Sequence, residues 1–165
     1  MTPAIGSAIT AKIVRRLIAP TGGVNANLAA LTAGVAAPPF SLSQIRTGYV
    51  SPELTERSSV VAYPAATIYC EKINNQLIEK FRTFSGVMGM AVEVRNSQDR
   101  VDALQQGLET CVDSVMQVLD SNRGDWGDGM FYAGGYQVAF GPVKQGGRNF
   151  IQTAKITFEI GVSIN

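Results

Sequence analysis

From Gln152 to Ile164 the chain alternates without interruption: Ala154, Ile156, Phe158, Ile160, Val162 and Ile164 fall on one side, Thr153, Lys155, Thr157, Glu159 and Ser163 on the other. A period of two held over that length demands an antiparallel strand with one buried and one wet face. Such a strand needs neighbours to pair with and a layer to cover its apolar face, which commits the chain to a layered fold containing a sheet. The alternation runs to the last residue but one, so no catalytic element is expected after it.

A second alternation lies upstream, where Met88, Met90, Val92 and Val94 interleave with Gly89, Ala91, Glu93 and Arg95. It predicts a strand over 86–95, preceded by a strand over 65–73 and a less regular piece through 74–84. Asn96 is placed to cap the next helix, with Asp99 in its first turn, and Val101, Leu104, Leu108, Cys111, Val115 and Val118 form an apolar stripe that Gly124 ends. At the N-terminus, Thr2 and Pro3 read as a cap and a first helical residue, and Ile5, Ala8, Ile9, Ile13 and Leu17 predict a helix to about Ala19, stopped by Pro20. Tyr136, Val138 and Phe140 alternate as a strand that turns through 141–147 into the last one, making a hairpin. The expectation is an α+β fold: a mainly antiparallel four-stranded sheet, a long helix packed on one face, an N-terminal helix and a long loop-rich arm.

The arm spans 21–59, punctuated by Gly22, Gly23, Gly34, Pro38, Pro39 and Pro52, with one short helical piece around Asn25 to Leu31. Connections of this length are functional loops or disordered segments, and the apolar content of this one favours an arm that contacts another subunit. The 165 residues suit a single domain over 1–165, since a core of that size buries roughly 70% of the unfolded surface.

Fourteen basic and thirteen acidic residues leave a net charge of +1, and only Lys12, Arg15 and Arg16 lie close together. That balance argues against strong or sequence-specific nucleic-acid binding. With 16% charged residues, 45% hydrophobic and seventeen glycines, the surface is lean for a monomer, so a partner is expected to cover part of it. Cys70 and Cys111 stand far apart and read either as reduced, buried thiols or as a long-range disulfide. There is no basic stretch followed by an apolar run, and no apolar segment approaches the ~20 residues of a membrane span, so a soluble, unexported protein without a membrane partner is expected.

The chain has no histidine, which excludes Ser-His-Asp and Cys-His catalysis, and its two cysteines cannot complete a zinc site. Asp125 and Asp128 sit among Gly124, Gly127 and Gly129, but without the ligand spacing and terminal glutamate of a calcium loop. Gly134–Gly135 and Gly146–Gly147 adjoin strands and read as turns rather than phosphate cradles. No catalytic residue, metal or cofactor is expected. Trp126, Phe131 and Tyr132, clustered in a glycine-rich stretch, are the candidate contact residues; the alternative is that they fold back to cap the core. Arg82, Arg95 and Arg100 either pair with carboxylates of a neighbouring subunit or form a solvated face.

The order of elements resembles the tail terminator family of long-tailed bacteriophages: a short helix, a loop-rich segment, Tyr63-Pro64-Ala65 leading into a strand, Phe84-Ser85-Gly86 leading to Met90 through Arg95, a helix and a closing hairpin. The stretches 80–99 and 146–155 carry most of the likeness, which extends to phage neck and tail-completion proteins generally. The resemblance implies a structural virion protein: a subunit of a ring, typically hexameric, that caps the tail tube, ends its polymerisation and joins it to the head-side connector or stopper. DNA would pass through the ring, and the protein would be made in the host cytoplasm. An adaptor or stopper ring of the head, or a tail tube subunit, is the alternative within that class. A small-molecule-binding α+β domain is the alternative outside it.

Overall fold

A computed structural model of the chain describes residues 4–33, 41, 44–48 and 62–165. The expected cap at Thr2 and Pro3, and the arm residues Gly34, Pro38, Pro39 and Pro52, lie outside the described residues. The described elements are α1 (Ile5–Leu17), α2 (Val24–Leu31), β1 (Gln44–Thr47), β2 (Ala65–Asn75), β3 (Phe84–Gln98), α3 (Val101–Ser121), β4 (Gly124–Gly127), β5 (Met130–Tyr132), β6 (Gln137–Phe140), β7 (Lys144–Gly146) and β8 (Asn149–Ile164).

The two alternating stretches make the backbone of the sheet. β3 and β8 pair antiparallel without a register shift from Phe84 opposite Ile164 to Gln98 opposite Phe150. Period-two patterns set this register, because slipping one strand by a residue would turn its whole apolar set to water. Met88, Met90, Val92 and Val94 of β3 therefore lie against Ile160, Phe158, Ile156 and Ala154 of β8 on one face, all buried.

The class is α+β, but the sheet is neither four-stranded nor wholly antiparallel. It contains eight strands in the order β1-β2-β3-β8-β5-β4, with β6 and β7 also pairing with β8, and β1 runs parallel to β2. One side of β8 is thus taken by β3, and the other is shared along its length by β7, β6 and β5. The expectation of four strands failed because the additional ones, β1, β4, β5 and β7, are only three or four residues long, too short to show a period. The arm is likewise partly regular: α2 starts at Val24, and β1 joins the sheet edge.

All three described helices contribute to the same core cluster on the apolar face of the sheet. α1 inserts Ile5, Ile9, Ile13 and Leu17; α3 inserts Leu108, Cys111, Val112, Val115, Val118 and Leu119; α2 lays Val24 and Leu28 beside α3. Each of these large aliphatic side chains contributes about 1.5–3 kcal/mol gross by leaving water. Val101, the first residue of the expected stripe, is instead 39% exposed at the helix start. Asn96 does not cap α3, because it still belongs to β3; its Nδ2 donates to Leu104 O at 3.3 Å, while the N-cap position is Arg100 and the first-turn carboxylate is Asp102 rather than Asp99.

Candidate functional site

The stretch between β2 and β3, residues 76–83, is where the molecule departs furthest from the rule that large apolar side chains are buried. Phe81 is 98% exposed, Ile78 70% and Leu77 60%, and Ile73 at the end of β2 is 64% exposed. Polar bonds hold the loop in shape. Asn75 Oδ1 accepts from the backbone amides of Leu77 and Ser85, its Nδ2 donates to Thr83 O, and the Glu79 amide donates to Ser85 Oγ. Arg82 donates to Glu79 Oε2 at 3.2 Å and to Asn165 Oδ1 at 2.6 Å, and Ser163 Oγ donates to the same Glu79 oxygen, tying the loop to the end of β8.

Leu77 and Phe81 sit at φ 48° and 66°, in the left-handed region that costs a residue with a side chain about 1–2 kcal/mol. At the foot of the loop a Cβ on Gly86 would lie 1.9 Å from Asn74 O, so only glycine lets the two strands meet there. The loop displays three large apolar side chains, and Ile73 at the end of β2 adds a fourth; covering each one would gain about 1.5–3 kcal/mol gross.

The expected aromatic cluster divides. Trp126 is 7% exposed and Tyr132 1%; Tyr132 meets Trp126 in a tilted contact and Phe158 edge-on, each at 5.6 Å centroid spacing. Trp126 Nε1 donates to Asn122 O at 2.7 Å, and the Arg16 guanidinium lies 4.0 Å over its ring. These two residues cap the core; Phe131, between them in sequence, points to the opposite face and is 53% exposed. The strand period accounts for the division, since Met130 and Tyr132 share the inner face of β5. Lys12 Nζ donates to Trp126 O at 2.8 Å and pairs with Asp128 at 2.9 Å, which pins α1 to the β4–β5 hairpin.

The three candidate arginines are not brought together. Arg82 belongs to the exposed loop. Arg95 is buried on the polar face of the sheet beside Glu93 at 3.2 Å, and Tyr69 Oη donates to that carboxylate at 2.8 Å. Arg100 is exposed and pairs with Asp102 at 2.8 Å. The Lys155 and Glu71 side chains also pair across this face.

Nothing described forms a reactive constellation. Both cysteines are free thiols, and burial pushes the Cys111 thiol up to about 12, which keeps it protonated. Burial, with Asp120 and Tyr136 nearby, pushes the Tyr132 phenol up to about 12. Among the described residues no group of three or more Asp, Glu or Cys is placed to hold a metal, and no helix is long and apolar enough to cross a membrane. A surface depression of ≈ 540 Å³ lies between α1 and the end of α3, lined by Lys12, Arg15, Arg16, Thr21, Asn122 and Trp126.

Sequence reasoning located an irregular piece over 74–84 and singled out Arg82, but missed the exposed apolar side chains in it. Leu77, Ile78 and Phe81 follow no period and stand among Gln76, Glu79, Lys80 and Arg82. Large apolar residues in an aperiodic connection between two strands were the available signal. No protein-family model matches the chain, and no curated protein matches it either.

Proposed function

We propose that this chain is a structural subunit that works by assembly: a ring-forming tail terminator of a long-tailed phage, capping the tail tube and joining it to the head-side connector. The observation that carries the reading is the ordered apolar loop 76–83, which gains nothing for the isolated chain and a great deal for a contact. Two further features support it. From Cys70 to Asn75 no described strand pairs with the outer edge of β2, and an open edge of that length is a place where another chain can add. The net charge of +1 sets no barrier of like charge between copies.

In this reading the protein performs no reaction. The ring occupies the surface on which the next tube subunit would add and presents a different one to the head. Electron microscopy of the purified protein, alone and with tail tubes, tests it. Closed rings, or particles seated on tube ends, are the expected result; a protein that neither forms rings nor binds tubes refutes it.

A small-molecule-binding domain is the second reading, favoured by the cationic depression beside α1. It predicts that a phosphorylated metabolite raises the melting temperature and that Arg15→Ala abolishes the rise.

A further inference from the structure

Arg82, Arg95, Arg100 and Arg123 each pair with a carboxylate, and Lys12 pairs with Asp128. Arg15 and Arg16, in the last turn of α1, pair with none among the described residues, and no described acidic side chain lines the ≈ 540 Å³ depression that they share with Trp126. Basic side chains in a last turn offset the negative end of the helix dipole, which accounts for the exposed Arg15. It does not account for the way Arg16 is held.

The Arg16 guanidinium lies 4.0 Å over the Trp126 ring, and its Nη1 donates to Lys12 O at 3.0 Å. The edge left is Nε with Nη2, the fork that meets two oxygens of one phosphate. Nε is covered from water and has no acceptor among the described residues, and buried donors of that kind are rare. Burial, and then the Arg15 charge, lower the Arg16 guanidinium from its ordinary value, so an anion beside it would stabilise its charged form.

We propose that this depression is a phosphate site, in which a doubly charged phosphate group, free or on a small ester, sits between Arg15 and the Nε–Nη2 edge of Arg16. The proposal deepens the small-molecule reading, on which it rests, and is independent of the assembly reading. Two guanidinium charges without carboxylates match the charge of about −1.5 to −2 that a phosphate monoester carries near pH 7, whereas one carboxylate balances only one of them. The Thr21 and Ser121 hydroxyls stand on the same wall as further donors, and the volume leaves room for more than a phosphate alone.

Trp126 is the single tryptophan of the chain, so its emission reports on the site. Emission is followed at fixed ionic strength while ribose 5-phosphate, inorganic phosphate or succinate is added to the full-length protein. Calorimetry repeats each titration, since a change at Arg16 alters the surroundings of the indole. Both phosphate probes are expected to saturate; tighter binding of ribose 5-phosphate assigns an ester, and equal binding assigns free phosphate. Arg15→Ala and Arg16→Lys should each weaken binding about tenfold, the second because an ammonium keeps the charge and loses the fork. Arg123→Ala, at an exposed position outside the lining, should change nothing. Circular dichroism checks each fold, and Arg15→Ala carries the test if Arg16→Lys unfolds.

Wild-type affinity in a folded Arg16→Lys or in Arg15→Ala overturns the proposal, as does an Arg123→Ala effect as large as theirs, which would mean diffuse attraction to surface charge. Succinate that binds as tightly as the phosphate probes overturns the phosphate assignment and leaves the small-molecule reading standing. No saturable response to any probe overturns both, while rings and tube binding decide the assembly reading separately.

Discussion

The inner face of the β3–β8 pair and the tip of the β2–β3 loop are both built from large apolar side chains, yet one face is covered and the other is bare. On the inner face Met90, Val92, Ile156 and Ile160 are fully buried under helices, and their burial is what holds the fold. At the loop Leu77, Ile78 and Phe81 face water, and hydrogen bonds accepted by the Asn75 and Ser85 side chains and donated by Arg82 hold the shape. The same residue types therefore stand in two settings: the first set is packed and stabilises the fold, the second is left in water, where the proposed assembly would cover it. The difference teaches that an apolar side chain in this chain acquires its role from what lies over it.

That contrast is open to direct attack. Ile156→Ala should destabilise the subunit by about 3 kcal/mol in urea unfolding, since it leaves a cavity in a packed face; a cost under about 1 kcal/mol would mean the inner face is not the stabilising layer. Asn75→Ala removes three bonds at the foot of the loop and should cost about 1 kcal/mol. Its sharper signature is local: the amides of Leu77 and Ser85 should exchange faster while those of β8 keep their protection. Uniform loss of protection would show that the loop and the core are one cooperative unit.

A smaller effect separates the two regions by pH. Lys12 holds the Asp128 carboxyl below its ordinary value through a hydrogen bond and its charge. The folded-state value is depressed, so the pairing stabilises above the ordinary carboxylate range and is lost as pH falls through the depressed value. Asp128→Asn should lower the melting temperature at neutral pH, and the gap from the wild type should close in acid. No gap at any pH would assign the link between α1 and the hairpin to the Lys12 bond to Trp126 O alone. The smallest effect on stability belongs to Phe81→Ser, within about 0.5 kcal/mol in the unassembled subunit, because the ring touches solvent on nearly every side. A cost of about 2 kcal/mol there would place the loop within the core it is contrasted with.

Long elements were legible in the sequence and short ones were not. β3, β8, α1 and α3 carry at least two turns or several alternations each, and periodicity located them within a few residues. Trp126, Phe131 and Tyr132 were legible as a cluster, but their division was not, because it depends on which face of β5 meets Phe158. The arginines were legible only as charges: Arg95 became buried through its place at the centre of the sheet, while Arg100 stayed at a helix start in water. The loop was legible as a less regular piece over 74–84, but its exposure was not, since nothing local says whether Leu77, Ile78 and Phe81 find a cover.

The amino-acid sequence by itself determined which residues share a face, because alternation and helical spacing are properties of neighbouring residues; the pairing of β3 with β8 came from the tertiary structure. It also determined that β8 would be a strand and that no histidine chemistry was open to the protein. Only the tertiary structure decided that β8 is flanked on both sides, that β1 runs parallel at the edge, that Trp126 and Tyr132 turn inward, and that the β2–β3 loop is left uncovered. These are questions of which distant segment covers which surface, and the balance of burial that settles them is summed over contacts far apart in the chain.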